Sequence, residues 1–421
     1  MPRRRHWMTF VAGNLTGAAI AACLFVFGPL AGPEELESGE LVILSGQDDS
    51  AGGQRQQLVT IWNDTHPRNQ ARIVTLPEAA DGQYAEMVNR AGDGGTDIFN
   101  LDVAWTARFA APPSGRRLIR PIDESLLAER PDQAFMTKPL ATCRYADQLW
   151  ALPFNTDAGL LYYRTDQGLK PPFDWSKIRA AGTKPGFKAT WTGQLNSYEG
   201  LTVNFLETVW SLGGDLAVAP DGRVTLDLAK WDEAAKLLTP SRDAKPGLVL
   251  PDSVSFEETS SRSAFRDGQT MFMRNWPVAY RAMRTAEPAG KPFAFDVTRL
   301  PGDSVLGGQN LAISERTTKP RAAQALIEFL TNERSQRLLF DNGGFAATRA
   351  AVYEDEAIKQ KYAYLPRLRE AIDTARLRPV SPNYVTFSRV LNERVHEVLV
   401  GRSPALPRDL ADQLTRALQG R

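Results

Sequence analysis

Apolar and polar residues along this chain follow two periods, and the alternation between them is the first structural signal. Leu41-Val42-Ile43-Leu44 is a short apolar run of the kind that forms a buried strand, and Arg72 to Leu76 and Asp97 to Leu101 repeat it. Between these runs the spacing changes. Gln54 to Asp64 places Leu58, Ile61 and Trp62 on one helical face, and helices are also predicted over Tyr84 to Ala91 and Val103 to Ala110. Strands alternating with helices predict an α/β domain with a largely parallel sheet. Further on, Gln148 to Pro153 and Gly159 to Arg164 read as strands flanking a polar link, Asn155-Thr156-Asp157. Helices are predicted over Glu199 to Leu212, Lys230 to Leu238 and Ser260 to Asp267, and strands over Met271 to Met273 and Phe293 to Val297. The cleanest helical face is Ala323, Leu326, Ile327 and Leu330, and the predicted helices Glu333 to Phe340 and Val385 to Val400 follow it.

The amino terminus departs from both periods. Pro2-Arg3-Arg4-Arg5-His6 is basic, and Trp7 to Gly32 carries no charge. A basic start followed by an apolar run describes an export signal, and the run also meets the ~20 residues that span a bilayer. Ile20-Ala21-Ala22-Cys23 resembles a lipobox, whose cysteine is lipidated after cleavage, although the apolar Leu24-Phe25-Val26-Phe27 follows where small or polar residues are usual. A lipid anchor on Cys23, an uncleaved signal anchor and plain secretion are therefore the readings, with a buried core helix as the structural alternative. The first three place everything from about Pro33 outside the cytoplasm.

Composition narrows the function classes. At 421 residues, 43% apolar and 24% charged, the chain has room for two or three domains with sizeable cores. Fifty basic residues balance 49 acidic ones, which argues against a nucleic-acid binder. Three of the basic residues are Arg3, Arg4 and Arg5, so the exported remainder is slightly acidic. Cys23 and Cys143 give no disulfide framework, and His6, His66 and His396 are too scattered for a His metal site. Cys143 reads as an inert buried thiol. No phosphate loop, G-x-S-x-G elbow or H-E-x-x-H helix is present, and Gly92-Asp93-Gly94-Gly95 lacks the third glycine of a dinucleotide fingerprint. No cofactor or metal is implied. The Asp-rich loop Gln47 to Asp49 lacks EF-hand spacing.

Several segments, taken in order, resemble bacterial family 1 extracellular solute-binding proteins, the sugar receptors of ABC importers, among which maltose-binding protein is familiar. They are Leu160-Leu161-Tyr162-Tyr163-Arg164, Ala264 to Pro277 (with Met271-Phe272-Met273-Arg274-Asn275-Trp276-Pro277), Gly307 to Ile313, and Lys319 through Gln336 to Gly343-Gly344-Phe345. Leu101 to Thr106, Tyr198 to Leu201 and Arg376 to Pro379 look like the trehalose-binding lipoproteins of actinobacteria within that family. The resemblance implies two α/β lobes, discontinuous in sequence, with ligand in the cleft between them and closure driven by sugar. It places the crossings near Leu152–Asn155, Val305–Gly308 and Gly344–Phe345. After an anchor and tether over 1–39, one lobe then comprises 40–153 and 308–344, the other 154–307 and 345–421. It further implies a monomer that hands its cargo to permease subunits and performs no catalysis.

A pyranose offers apolar C–H faces to aromatic rings and a rim of hydroxyls to carboxylates, amides and guanidinium groups. Trp276 follows a strand and precedes proline, which keeps its backbone extended and suits a stacking platform, with core packing as the alternative. Asp102 ends a strand, where α/β sheets place ligands, and would otherwise cap the next helix. Asn155 and Asp157 lie in the first crossing, with Asp157 the hydroxyl acceptor or else a turn former. Tyr198 and Glu199 line the second lobe, unless Glu199 only caps its helix. Glu258 and Arg378 match polar positions of the trehalose subgroup or else face solvent. Gly307 and Gly308 allow close backbone approach or form a turn. Asp48 and Asp49 are weaker candidates, and Trp105 is core support. The alternatives to a transport receptor are a membrane-tethered glycosidase, which also needs carboxylates and aromatic rings, and a sensing module that kept the fold.

Overall fold

The computed structural model describes residues 36–421 except 49, 51, 113–114, 128–133, 183–184, 242–246 and 286–293. Cys23 and the whole basic and apolar amino-terminal stretch lie outside the described residues, as does Asp49. Ser38–Arg421 form one compact unit containing two five-stranded sheets.

The first sheet has the order β2-β1-β3-β14-β6, with β1 Leu41–Ser45, β2 Ala71–Thr75, β3 Ile98–Asp102, β6 Leu152–Ala158 and β14 Leu306–Ile313. The second runs β11-β8-β12-β7-β13, with β7 Leu160–Arg164, β8 Ala189–Thr192, β11 Gly247–Val249, β12 Thr270–Asn275 and β13 Phe295–Arg299. Two short hairpins, β4–β5 (Arg144–Tyr145, Gln148–Leu149) and β9–β10 (Leu216–Val218, Val224–Leu226), stand apart.

Neither sheet is largely parallel. In the first, β1 pairs parallel with β2 and β3, but β14 runs antiparallel to β3 and β6. The second is divided in the same way, with β8 parallel to β11 and β12, and β7 antiparallel to β12 and β13. The parallel strands belong to βα units. The antiparallel ones include the segments that carry the chain between sheets, and these owe nothing to a helical crossover.

The expected polar link is also absent. Asn155, Thr156 and Asp157 lie inside β6, paired with Gln309, Gly308 and Gly307 of β14. The two strands pack closely here because Gly308 and Gly307 set no side chains opposite Thr156 and Asp157. Gly308 has φ +116°, and a Cβ there would sit 2.3 Å from the Asn155 carbonyl oxygen. Strand β6 therefore belongs wholly to the first sheet. The chain passes to the second sheet at Gly159 and returns just before Leu306.

Strand β7 shows why a second sheet needs helices on both faces. Leu161 and Tyr163 enter one core with Trp191, Phe205, Trp231, Tyr384 and Phe387. Their neighbours Leu160 and Tyr162 enter another with Phe265, Met273, Phe295, Phe340, Tyr364 and Leu368. Alternate residues of one apolar strand thus serve opposite faces. The helix Pro320–Thr331 behaves as its pattern predicts, with Ala323, Leu326, Ile327 and Leu330 all buried and Pro320 in its first turn. Gln336 ties the chain at Thr348 to β6, donating to Phe154 O at 2.6 Å and accepting from Thr348 N at 2.7 Å.

Candidate functional site

A cleft of about 1030 Å³, counting space open to solvent, lies between the two sheets. Asp102 reaches it from the end of β3, Asp157 from β6, and Gly307 and Gly308 from β14. From the other side come Tyr198 and Glu199 at the start of the helix Glu199–Ser211, and Glu258 at the start of Glu258–Arg266. Trp276 enters just past β12, and Arg378 from the segment after the helix Leu365–Thr374. Asn155 does not line the cleft. It is buried behind Asp157, to which its Nδ2 donates at 3.3 Å.

Three sub-arrangements define the chemistry. In the first, Arg378 is buried and donates from Nη2 to Asp102 Oδ1 and from Nη1 to Glu199 Oε1, each at 2.7 Å, so one guanidinium joins the two lobes. Glu199 Oε1 also accepts from Tyr384 Oη at 2.5 Å, and Oε2 from Ser388 Oγ. Burial pushes the Glu199 carboxyl up, and the Arg378 charge opposes the shift. Asp102 also accepts from Ala104 N at 2.8 Å, so residues 103–105 form a turn and the predicted helix starts only at Thr106. Asp102 therefore holds a local turn, in place of the expected helix cap, and is half of an interlobe ion pair.

The second arrangement is aromatic. Trp276 Nε1 donates to Glu258 Oε1 at 3.3 Å and Tyr198 Oη to Glu258 Oε2 at 2.8 Å, so the carboxylate orients both rings. Desolvation raises the Glu258 pKa, opposed by these two donors. The bare Gly307 fits against the Trp276 ring edge, because a Cβ there would come within 3.1 Å of it.

The third centres on Asp157, only 8% exposed. Its Oδ1 is buried without a hydrogen-bond partner, and so is Asn155 Oδ1. Burial raises the Asp157 carboxyl to about 7, against the pull of Arg55 and Arg274. A buried acceptor left unpaired costs about 1–3 kcal/mol, which a ligand hydroxyl would recover.

Sequence reasoning missed Arg55, Asn100 and Gln309, which line the same cleft. Arg55 donates to Gln309 Oε1 at 3.0 Å and to Ser45 Oγ at 3.2 Å, with its guanidinium 4.6 Å from the Phe345 ring centroid. A signal existed: Arg55 sits in the first turn of the helix Gln54–Thr65, where a cation opposes the helix dipole. Trp105 lines the cleft as well and packs on Tyr84 at 5.6 Å. Asp48 is committed to Ser50 and to the backbone of Arg55. Among the described residues no cluster of His, Cys, Asp and Glu is arranged to hold a metal ion.

The sequence profile of the bacterial extracellular solute-binding proteins matches residues 68–366. The chain belongs to that family. This solute-binding protein is 28% identical over 383 residues to a probable ABC transporter-binding protein of Deinococcus radiodurans, covering 84% of this chain and 87% of that one. Among solved structures it is similar to maltose-bound MalE3 of T. maritima, with TM-score 0.80 and 25% identity over 90% of this chain and 99% of the other. The GacH receptor of Streptomyces glaucescens, solved with and without acarbose, shares the fold, with TM-score 0.76, 21% identity and coverage of 91% and 99%. The two-lobed architecture is thus common to all three structures, and membership places this solute-binding protein outside the cytoplasm. Among the described residues no helix is long and apolar enough to cross a membrane.

Proposed function

We propose that this protein captures a di- or oligosaccharide, foremost a trehalose-like disaccharide, and delivers it to the permease of an ABC importer without turning it over. One observation carries the reading: the Trp276 ring stands in the interlobe cleft that also holds Asp157, whose buried Oδ1 lacks a partner. A flat aromatic face matches the apolar side of a pyranose and an unpaired carboxylate oxygen matches its hydroxyl rim. The likeness to a maltose-bound receptor and to an ABC transporter-binding protein supports it. The receptor acts as a monomer held at the outer face of the membrane through its amino-terminal segment, by a lipid on Cys23 or an uncleaved anchor. Mass spectrometry of the mature protein distinguishes these.

The Asp157 carboxyl, raised to about 7, favours a second reading, since a glycosidase needs one carboxylic acid protonated near neutral pH. A thermal-shift screen over di- and oligosaccharides, with chromatographic detection of hydrolysis, separates the two. A sugar that stabilises the protein and is recovered intact supports the receptor. Turnover would replace it with the glycosidase, and silence across the panel with a sensing module or a receptor for a non-sugar ligand. Trp276→Ala is expected to weaken binding at least about tenfold, or 1.4 kcal/mol, by calorimetry.

A further inference from the structure

Trp276 is supported from behind by a charged pair that the cleft itself does not expose. Arg274, two residues earlier, is 2% exposed, and its Cζ lies 3.8 Å from the Trp276 ring centroid. Because Trp276 lines the cleft and Arg274 does not, the guanidinium covers the face turned away from ligand. Arg274 is itself fixed. Glu207 accepts from its Nη2 at 2.7 Å and from its Nε at 2.8 Å, and Gln194 Oε1 accepts from Nη1 at 3.2 Å. Glu207 does more than neutralise it. Its Oε1 also accepts from Val305 N at 3.1 Å and lies 3.2 Å from Ser304 Oγ, which accepts from Gly159 N. Gly159 and Ser304–Val305 are the places where the chain changes sheet. A Cβ on Gly159 would lie 2.5 Å from Glu207 Oε1, so the passage is built tightly around this carboxylate.

A buried ion pair is a poor way to add stability compared with apolar packing, so its retention calls for a reason of geometry. The planar guanidinium provides one, because it offers a flat face to the ring and a fork to the carboxylate at the same time, which an ammonium does not. We propose that Arg274 and Glu207 are positioning residues for the Trp276 platform, Arg274 fixing the ring plane and Glu207 tying it to the two passages between lobes. Platform and hinge then share one carboxylate. The proposal rests on the reading of Trp276 as the sugar-facing ring.

The test is a double-mutant cycle of Arg274→Lys with Trp276→Leu, read by calorimetry with trehalose and maltose as probes. The lysine keeps the charge and loses the flat face. Arg274→Lys is expected to weaken binding at least about threefold in the Trp276 protein and not at all in the Trp276→Leu background. Equal losses in both, or no loss in either, would overturn the proposal. Should neither sugar bind the wild type, the trehalose-like ligand assignment fails, and acrylamide quenching of the Trp276 emission (wild type minus Trp276→Phe) decides the positioning role alone. A roughly twofold rise in quenching in Arg274→Lys supports it and unchanged quenching rejects it. If Arg274→Lys does not fold, Glu207→Gln enters the same cycle and quenching measurement, with the same criteria.

Discussion

Replacing Asp157 by asparagine should make the free protein more stable at pH 8, an uncommon outcome for altering a buried polar residue. Burial raises its carboxyl from 3.8 to about 7. Between those values the unfolded chain has released the proton while the folded chain still holds it. Stability therefore falls as pH rises through that window. At about 1.4 kcal/mol per pH unit, the full loss is about 4 kcal/mol at pH 8, and the pull of Arg55 and Arg274 is already contained in that shift. A neutral amide at this position carries no such penalty, so urea unfolding at pH 4, 6 and 8 should show the variant near wild type at pH 4 and progressively more stable above it. A gain of up to about 4 kcal/mol at pH 8 is expected. The same substitution should weaken sugar binding. For the wild type, affinity should rise from pH 6 to 8, because a ligand hydroxyl donating to Oδ1 favours the ionised carboxylate. A pH-independent loss of stability in Asp157→Asn would refute the reasoning, showing that the carboxylate is satisfied in the free protein.

Other changes probe the frame. Gly308→Ala forces a Cβ toward the Asn155 carbonyl at φ +116° and should cost at least about 2 kcal/mol by urea unfolding, with wild-type stability contradicting the strand packing. Arg378→Met leaves Asp102 and Glu199 without their shared cation and should cost about 3–5 kcal/mol. A change within about 0.5 kcal/mol would mean that water replaces the guanidinium freely. Cys143 is fully buried, which pushes its thiol far above the usual range, so maleimide should label it only after unfolding. Rapid labelling of the native protein would show an open path to it.

Local periodicity made the helix Pro320–Thr331 and strands β1 and β7 legible, because their apolar spacing and their burial are the same fact. It could not reveal that Asn155-Thr156-Asp157 is strand. That depends on two glycines far later in the chain, Gly307 and Gly308, whose missing side chains let the two strands pack closely. The start of the helix at Thr106 was likewise hidden, since Asp102 uses its carboxylate to hold a turn. Of the candidate residues, those at strand ends and helix starts converge on one cleft, as α/β topology dictates. Asn155 shares a strand face with Asp157 but lies deeper on it, where its amide bonds the Asp157 carboxylate. The partners of Arg378 were beyond any sequence rule. Asp102 lies 276 positions away and Glu199 lies 179.

The burial of Arg378 also bears on where the protein works. Outside the cytoplasm, ionic strength follows the surroundings, from dilute water to brine. An exposed interlobe salt bridge would loosen across that range, since counterions screen surface charges within about 10 Å at 0.1 M salt. The Arg378 guanidinium is enclosed by protein and its partners are mostly covered, at 21% and 11% side-chain exposure. Counterions have little room to intervene, so the charged tie between the lobes should be largely indifferent to the salinity of the medium.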